Sequence, residues 1–189
     1  MIKLLPKLTK VTYEEFLEMD NSSEDRLEYI NGEVHLQSAP SVEHQRVVTN
    51  LSTEFGIYFK NKECKHFVAP FDVVFQNETE KHRVQPDITV ICDKSGFNEN
   101  NYTGVPTIAV EVLSPSTTSK DYVIKMDLYM RFGVKEYWIV SPKNKSVEIF
   151  TLENGIYLEP VVYSKDDTVK SSIFTDLSIQ LKDIFINGE

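Results

Sequence analysis

A chain of 189 residues is long enough for one folded domain with a real core, and its apolar (41%) and charged (26%) fractions are ordinary globular values. The formal net charge of −9 and a pI near 5.0 exclude a broadly basic surface, so any contact with nucleic acid must be local. No apolar run approaches the ~18 residues of a membrane span, and the opening MIKLLPKLTK is too poor in apolar residues for a signal-peptide core, so a cytoplasmic protein without membrane contact is expected.

In chain order, TYEEFLEM sets Thr12 and Glu15 at capping-box spacing ahead of Phe16, Leu17 and Met19, which predicts a short helix. RLEYINGEVHLQ places Asn31-Gly32 between two alternating runs, a hairpin signal. Val47, Leu51, Phe55 and Tyr58 recur at helical spacing and predict an amphipathic helix. HFVAPFDVVF reads as one strand and QNETEKH as the loop after it. PDITVIC and TIAVEVL are two short apolar strands separated by an Asn-, Gly- and Pro-rich loop over 93–106. A helix is predicted from Asp121 to Phe132, stopped by Gly133. EYWIVSP is a further strand, and SVEIFTLENGIYLEPVVY a hairpin turning at Asn154-Gly155. Near-continuous apolar strands imply burial on both faces, hence an α/β architecture with a mixed sheet and helices on its faces. No repeat or long linker divides residues 1–189, which favours a single domain. Cys64 and Cys92 lie far apart, without zinc-finger spacing, and read as reduced, strand-buried thiols.

Two acids stand out. Side chains alternate along TIAVEVL, so Thr107, Ala109, Glu111 and Leu113 share a face and Glu111 sits among apolar neighbours. An unpaired carboxylate there is costly and needs a cation, a charged partner or a proton. Asp87 follows Pro86 at the mouth of the preceding strand, where it can aim across the strand end. Each acid has a structural explanation of its own: a turn cap for Asp87, a neutralising Lys or Arg for Glu111. Together, on paired strands and ahead of a lysine-bearing helix, they point to a site. Two hard oxygen ligands with a backbone carbonyl and waters suit Mg²⁺, with Mn²⁺ as substitute.

PD before a strand, followed by a Glu inside VEVLSPST, resembles the PD-(D/E)XK nuclease superfamily. The longer pattern PDITV, GVP, AVEVLSPST and GVKEYWIVSP, with LEYINGEV and HQRV upstream, resembles the Uma-type putative restriction endonuclease family over roughly residues 10 to 160. The resemblance implies a restriction-endonuclease-like core of helix, three strands, helix and strand over about 42–142, with an N-terminal helix and hairpin over 10–38 and a C-terminal hairpin over 146–164. It also implies hydrolysis of DNA phosphodiester bonds assisted by a divalent metal, leaving a 5′-phosphate and a 3′-hydroxyl.

Carried over residue by residue, Asp87 matches the motif Asp and Glu111 the motif acid, with the Val112 backbone carbonyl as a further ligand. The motif lysine position, two after Glu111, is Leu113. Lys125, in the following helix, is the natural replacement; its structural alternative is an i,i+4 ion pair with Asp121. Lys120 is expected to be solvent-exposed. Glu28 matches the acid of the family's L-E motif, either completing the ion's shell or standing as a solvated hairpin acid. His44 is either a phosphate contact or, as preferred here, a surface helix residue. Asp72 is a candidate supporting carboxylate, Gln85 a candidate polar lining group, and Tyr137 and Trp138 are core residues. A catalytically inactive nuclease-fold module for nucleic-acid or protein interaction is the competing expectation, favoured by Leu113 and the acidic pI; a hydrolase of smaller phosphoesters would use the same site. Cutting both strands of DNA would need two symmetry-related sites, hence a homodimer.

Overall fold

The computed structural model describes residues 10–186. Helix α1 (Tyr13–Ser22) starts at a complete capping box, the Thr12 side chain accepting from the Glu15 N–H and the Glu15 carboxylate from the Thr12 N–H. Strands β1 (Leu27–Ile30) and β2 (Glu33–Leu36) form the first hairpin, and both Asn31 (φ 54°) and Gly32 (φ 84°) take the positive φ of a tight two-residue turn. Helix α2 (Val42–Phe59) is capped by the Ser41 side chain and buries Val47, Leu51 and Phe55.

The run HFVAPFDVVF is two strands, not one: β3 (Lys65–Val68) and β4 (Asp72–Gln76). They part at Pro70, which has no N–H for a ladder, and enter different sheets. The expected QNETEKH loop shrinks to a turn held by the Asn77 side chain, and β5 (Lys81–Val84) begins within it as the antiparallel partner of β4. Strand β6 (Ile88–Ile91) follows, then short β7 (Asn101–Thr103), which the loop expected over 93–106 conceals, and β8 (Ile108–Val112). Lys120–Lys125 form a π-helical segment continuing into α3 (Met126–Phe132), which ends at Gly133 in the left-handed conformation (φ 91°). Strand β9 (Glu136–Ser141) precedes β10 (Ser146–Glu153), β11 (Ile156–Tyr157) and β12 (Val161–Ser164), with the turn at Asn154-Gly155 as expected. Beyond the expected hairpin come β13 (Thr168–Lys170), β14 (Ser178–Gln180) and α4 (Leu181–Ile184).

Seven strands form the larger sheet along β11-β10-β9-β8-β6-β3, with β12 also on β10, and five form the smaller sheet β2-β1-β5-β4-β7. The larger sheet is mixed: β8 and β9 are parallel, whereas β6–β8 and β3–β6 are antiparallel. Alternation along β8 divides its side chains. Ile108, Val110 and Val112 pack towards α2, while Ala109 packs towards α3 and the smaller sheet. Trp138 and Tyr137 are fully buried on these two opposite faces, as core residues.

Cys64 and Cys92 are joined in a disulfide, against the expectation of reduced thiols. The antiparallel register that pairs Lys65 with Ile91 sets them opposite each other one step further along, within reach of a sulfur–sulfur bond despite a separation of 28 in sequence.

Candidate active site

The β6–β8 register pairs Ile88 with Val110, so Asp87 and Glu111 stand opposite one another one step beyond that pair. Both face a cavity of about 210 Å³, which His44, Lys120, Asp121 and Lys125 also line, with Ser114–Thr117 at its mouth. Asp87 Oδ2 accepts from the Val112 N–H at 2.7 Å and lies 3.3 Å from His44 Nε2. Glu111 is 4% exposed, and its Oε1 accepts from Lys125 Nζ at 2.8 Å and from the Tyr129 hydroxyl at 2.7 Å. These contacts commit one oxygen of each carboxylate.

Glu28 stands behind the two lysines, fully buried at the end of the smaller sheet. Alternation in β1 points it away from Leu27 and Tyr29, which pack on Phe16. Its Oε1 accepts from the Gln85 N–H (2.9 Å) and Lys125 Nζ (2.9 Å), and its Oε2 from Lys120 Nζ (2.8 Å). It is therefore neither a solvated hairpin acid nor a free ligand. Lys120, expected to be exposed, is drawn inward by this pair and keeps only 12% of its side chain exposed. Lys125 pairs with Glu111 and Glu28, and no i,i+4 bridge to Asp121 forms.

The pKa shifts express this crowding. Burial would raise the Glu28 carboxyl, but Lys125 and Lys120 outweigh it and hold it down at about 2. Glu111 shares only one of those ammonium groups. Burial, opposed by Lys125 and reinforced by Asp121 and Asp87, pushes it up to about 8. Asp121, 1% exposed, is raised chiefly by burial. Lys125 stays a cation: burial works against its charge, yet Glu111 and Glu28 raise it well above 10.5.

His44 is buried, not the surface residue preferred from sequence, because the first turn of α2 packs over the end of the larger sheet. Burial lowers its pKa, but the Asp87 carboxylate beside it leaves it raised. Asp72 does not line the cavity; its Oδ1 accepts from Gln85 Nε2 at 2.8 Å and so holds that amide, whose Oε1 has no partner among the described residues. Sequence reasoning gave Asp121 only an ion pair with Lys125, set Lys120 at the surface, and overlooked Tyr129. The four-residue spacing of Asp121 and Lys125 was visible, but not that a π turn carries both inward.

Among the described residues, no three His, Cys, Asp or Glu side chains group closely enough to hold a metal ion by themselves. The donor set is instead of the two-carboxylate kind, with one oxygen on each of Asp87 and Glu111 left without a donor from the described residues. Such a set fits Mg²⁺, which keeps much of its water and takes one or two carboxylates.

An α/β core of helix, three strands (β3, β6, β8), helix and strand, with paired acids at the strand ends, defines the restriction-endonuclease-like class of fold. A crystal structure described as a putative nuclease belonging to DUF820 from Anabaena variabilis has this fold, superposing with a TM-score of 0.76 over 93% of this chain and 97% of its own, at 21% identity. The chain belongs to the family described as "Uma2: Putative restriction endonuclease", whose model matches residues 13–182. It is also similar to two uncharacterised proteins of Synechocystis sp., slr1290 (26% identity over 75% of this chain and 74% of that one) and sll1609 (27% over 70% and 76%). None of the helices among the described residues is long and apolar enough to cross a membrane.

Proposed function

We propose that this chain is a divalent-metal-dependent endonuclease that hydrolyses DNA phosphodiester bonds, using Mg²⁺, with Mn²⁺ as substitute. One observation supports the reading above the others. Four carboxyl groups, Glu28, Asp87, Glu111 and Asp121, crowd around Lys120, Lys125 and His44 in one region, where burial and a shortage of positive charge keep Glu111 up at about 8, and a divalent ion would supply that charge. Asp87 and Glu111 would hold the ion, with the Val112 carbonyl completing the protein's share. When bound, such an ion polarises the phosphate and lowers the pKa of its water.

The remaining residues prepare that site. The Val112 N–H and His44 fix Asp87 through Oδ2, and Lys125 and Tyr129 fix Glu111 through Oε1. Each clamp leaves the other oxygen to face the ion. Lys125 is held too firmly as a cation to take a proton from water, so its part is to offset charge on the pentavalent transition state. Glu28 orders both ammonium groups from behind, and Asp72 orders Gln85.

Leu113 at the motif lysine position, and the engagement of both lysines by Glu28, favour the second reading, an inactive nuclease-fold module. Plasmid nicking separates the two. The proposal predicts nicking in Mg²⁺ that is lost in EDTA and in Asp87→Ala; a wild type inert across metals and nucleic-acid substrates would leave the module.

A further inference from the structure

Asp121 adds to the carboxylates at the site but has been given no contact there. It is the second residue of the π-helical segment, and its backbone is pinned on both sides: its N–H donates to the Thr117 carbonyl (2.9 Å), and its own carbonyl accepts from the Tyr137 hydroxyl (3.1 Å) and the Met126 N–H. Its side chain is 1% exposed and lines the cavity shared with Asp87 and Glu111. Thr117 hydrogen-bonds to the carboxyl, yet among the described residues its Oδ1 has no hydrogen-bond partner. The two lysines that flank it along the chain, Lys120 and Lys125, are spent on Glu28 and Glu111 instead. Leaving a buried carboxylate oxygen unmade costs free energy, and a fold that retains one next to a ligand site holds it for that ligand.

Direct coordination is not what the geometry offers, since no three acidic, His or Cys side chains group at ligand distance among the described residues. Mg²⁺ gives up its water reluctantly, and carboxylates often reach it through that water. Resting on the ion-site reading above, we propose that Asp121 is a positioning residue whose Oδ1 accepts a hydrogen bond from water bound to the ion held by Asp87 and Glu111. It thereby orients the water nearest the phosphate and adds a third negative charge to the ion's surroundings.

The test uses the full chain, Mn²⁺ titration by calorimetry, and thermal melting of the ion-free protein. Asp121→Asn keeps the size and removes the charge; Asp121→Ala removes the acceptor. Both are expected to weaken Mn²⁺ binding roughly tenfold or more, while the ion-free melting temperature stays level or rises in Asp121→Asn, because burial disfavours the charge that has gone. Asp127→Asn, which removes an exposed charge paired with Arg131, should leave the affinity in place. Unchanged Mn²⁺ affinity in both Asp121 variants would overturn the proposal and spare the ion site. So would an equal loss in Asp127→Asn, or an Asp121→Asn protein that melts well below wild type. A wild type that binds no Mn²⁺ would remove the ion site and this inference together.

Discussion

Glu28 is tolerable in the interior only while both lysines hold it. Its carboxyl is kept at about 2 against an ordinary 4.5, so the folded protein holds it ionised where the unfolded chain would begin to protonate it. Its contribution to stability is therefore complete above pH 4.5 and drains away as the pH falls towards 2. Glu28→Gln should cost on the order of 3 kcal/mol near neutrality, because Lys120 loses its counter-charge and buried Lys125 loses one of its two. The gap to wild type should close as the pH falls below 4.5, and urea unfolding across that range checks it; a gap independent of pH would show that the pairs with Lys120 and Lys125 are not what Glu28 provides. At this scale the sequence was half informative. An acid inside the apolar run of β8, and another after Pro86, announce themselves. The burial of His44 and the inward turn of Lys120 do not, since they come from elements distant in the chain.

Among the elements, the π-helical segment Lys120–Lys125 does most to assemble the site. Its i→i+5 turn carries Asp121 and Lys125 inward and leaves Val123 exposed at 66%. Deleting Val123 should let the segment relax to an ordinary α-turn. Leu128 and Tyr129 anchor α3 in the core, so Lys120 and Asp121 would swing by about 100° away from the cavity. Circular dichroism should then show helix content retained while plasmid nicking is lost; full nicking by the deletion variant would mean that the π turn is dispensable. Such a turn has no local sequence signal, whereas the capping box of α1, the Asn-Gly turns and the Gly133 cap were readable because the residues that fix them are neighbours. Strand β5 hid inside a polar run because its pairing with β4 and β1, not its own residues, makes it a strand.

Over the whole molecule, the site exists because two sheets meet. The larger brings Asp87 and Glu111, the smaller brings Glu28, α2 brings His44, and the π segment brings the lysines. Order along the chain foretold the core of helix, strands, helix and strand. It could not foretell that β3 and β4 part into different sheets, or that Cys64 meets Cys92 through strand register. Nor did it reveal that buried Glu136 anchors the C-terminal segment by accepting from Ser171 and Ser172. What this architecture creates is a recessed place where carboxylates outnumber cations. Anomalous scattering from a crystal of the full chain soaked in Mn²⁺ tests that most directly. A peak bonded to both Asp87 and Glu111 is the predicted result; a peak elsewhere, or none with the lysines still clamped on Glu28 and Glu111, would contradict it.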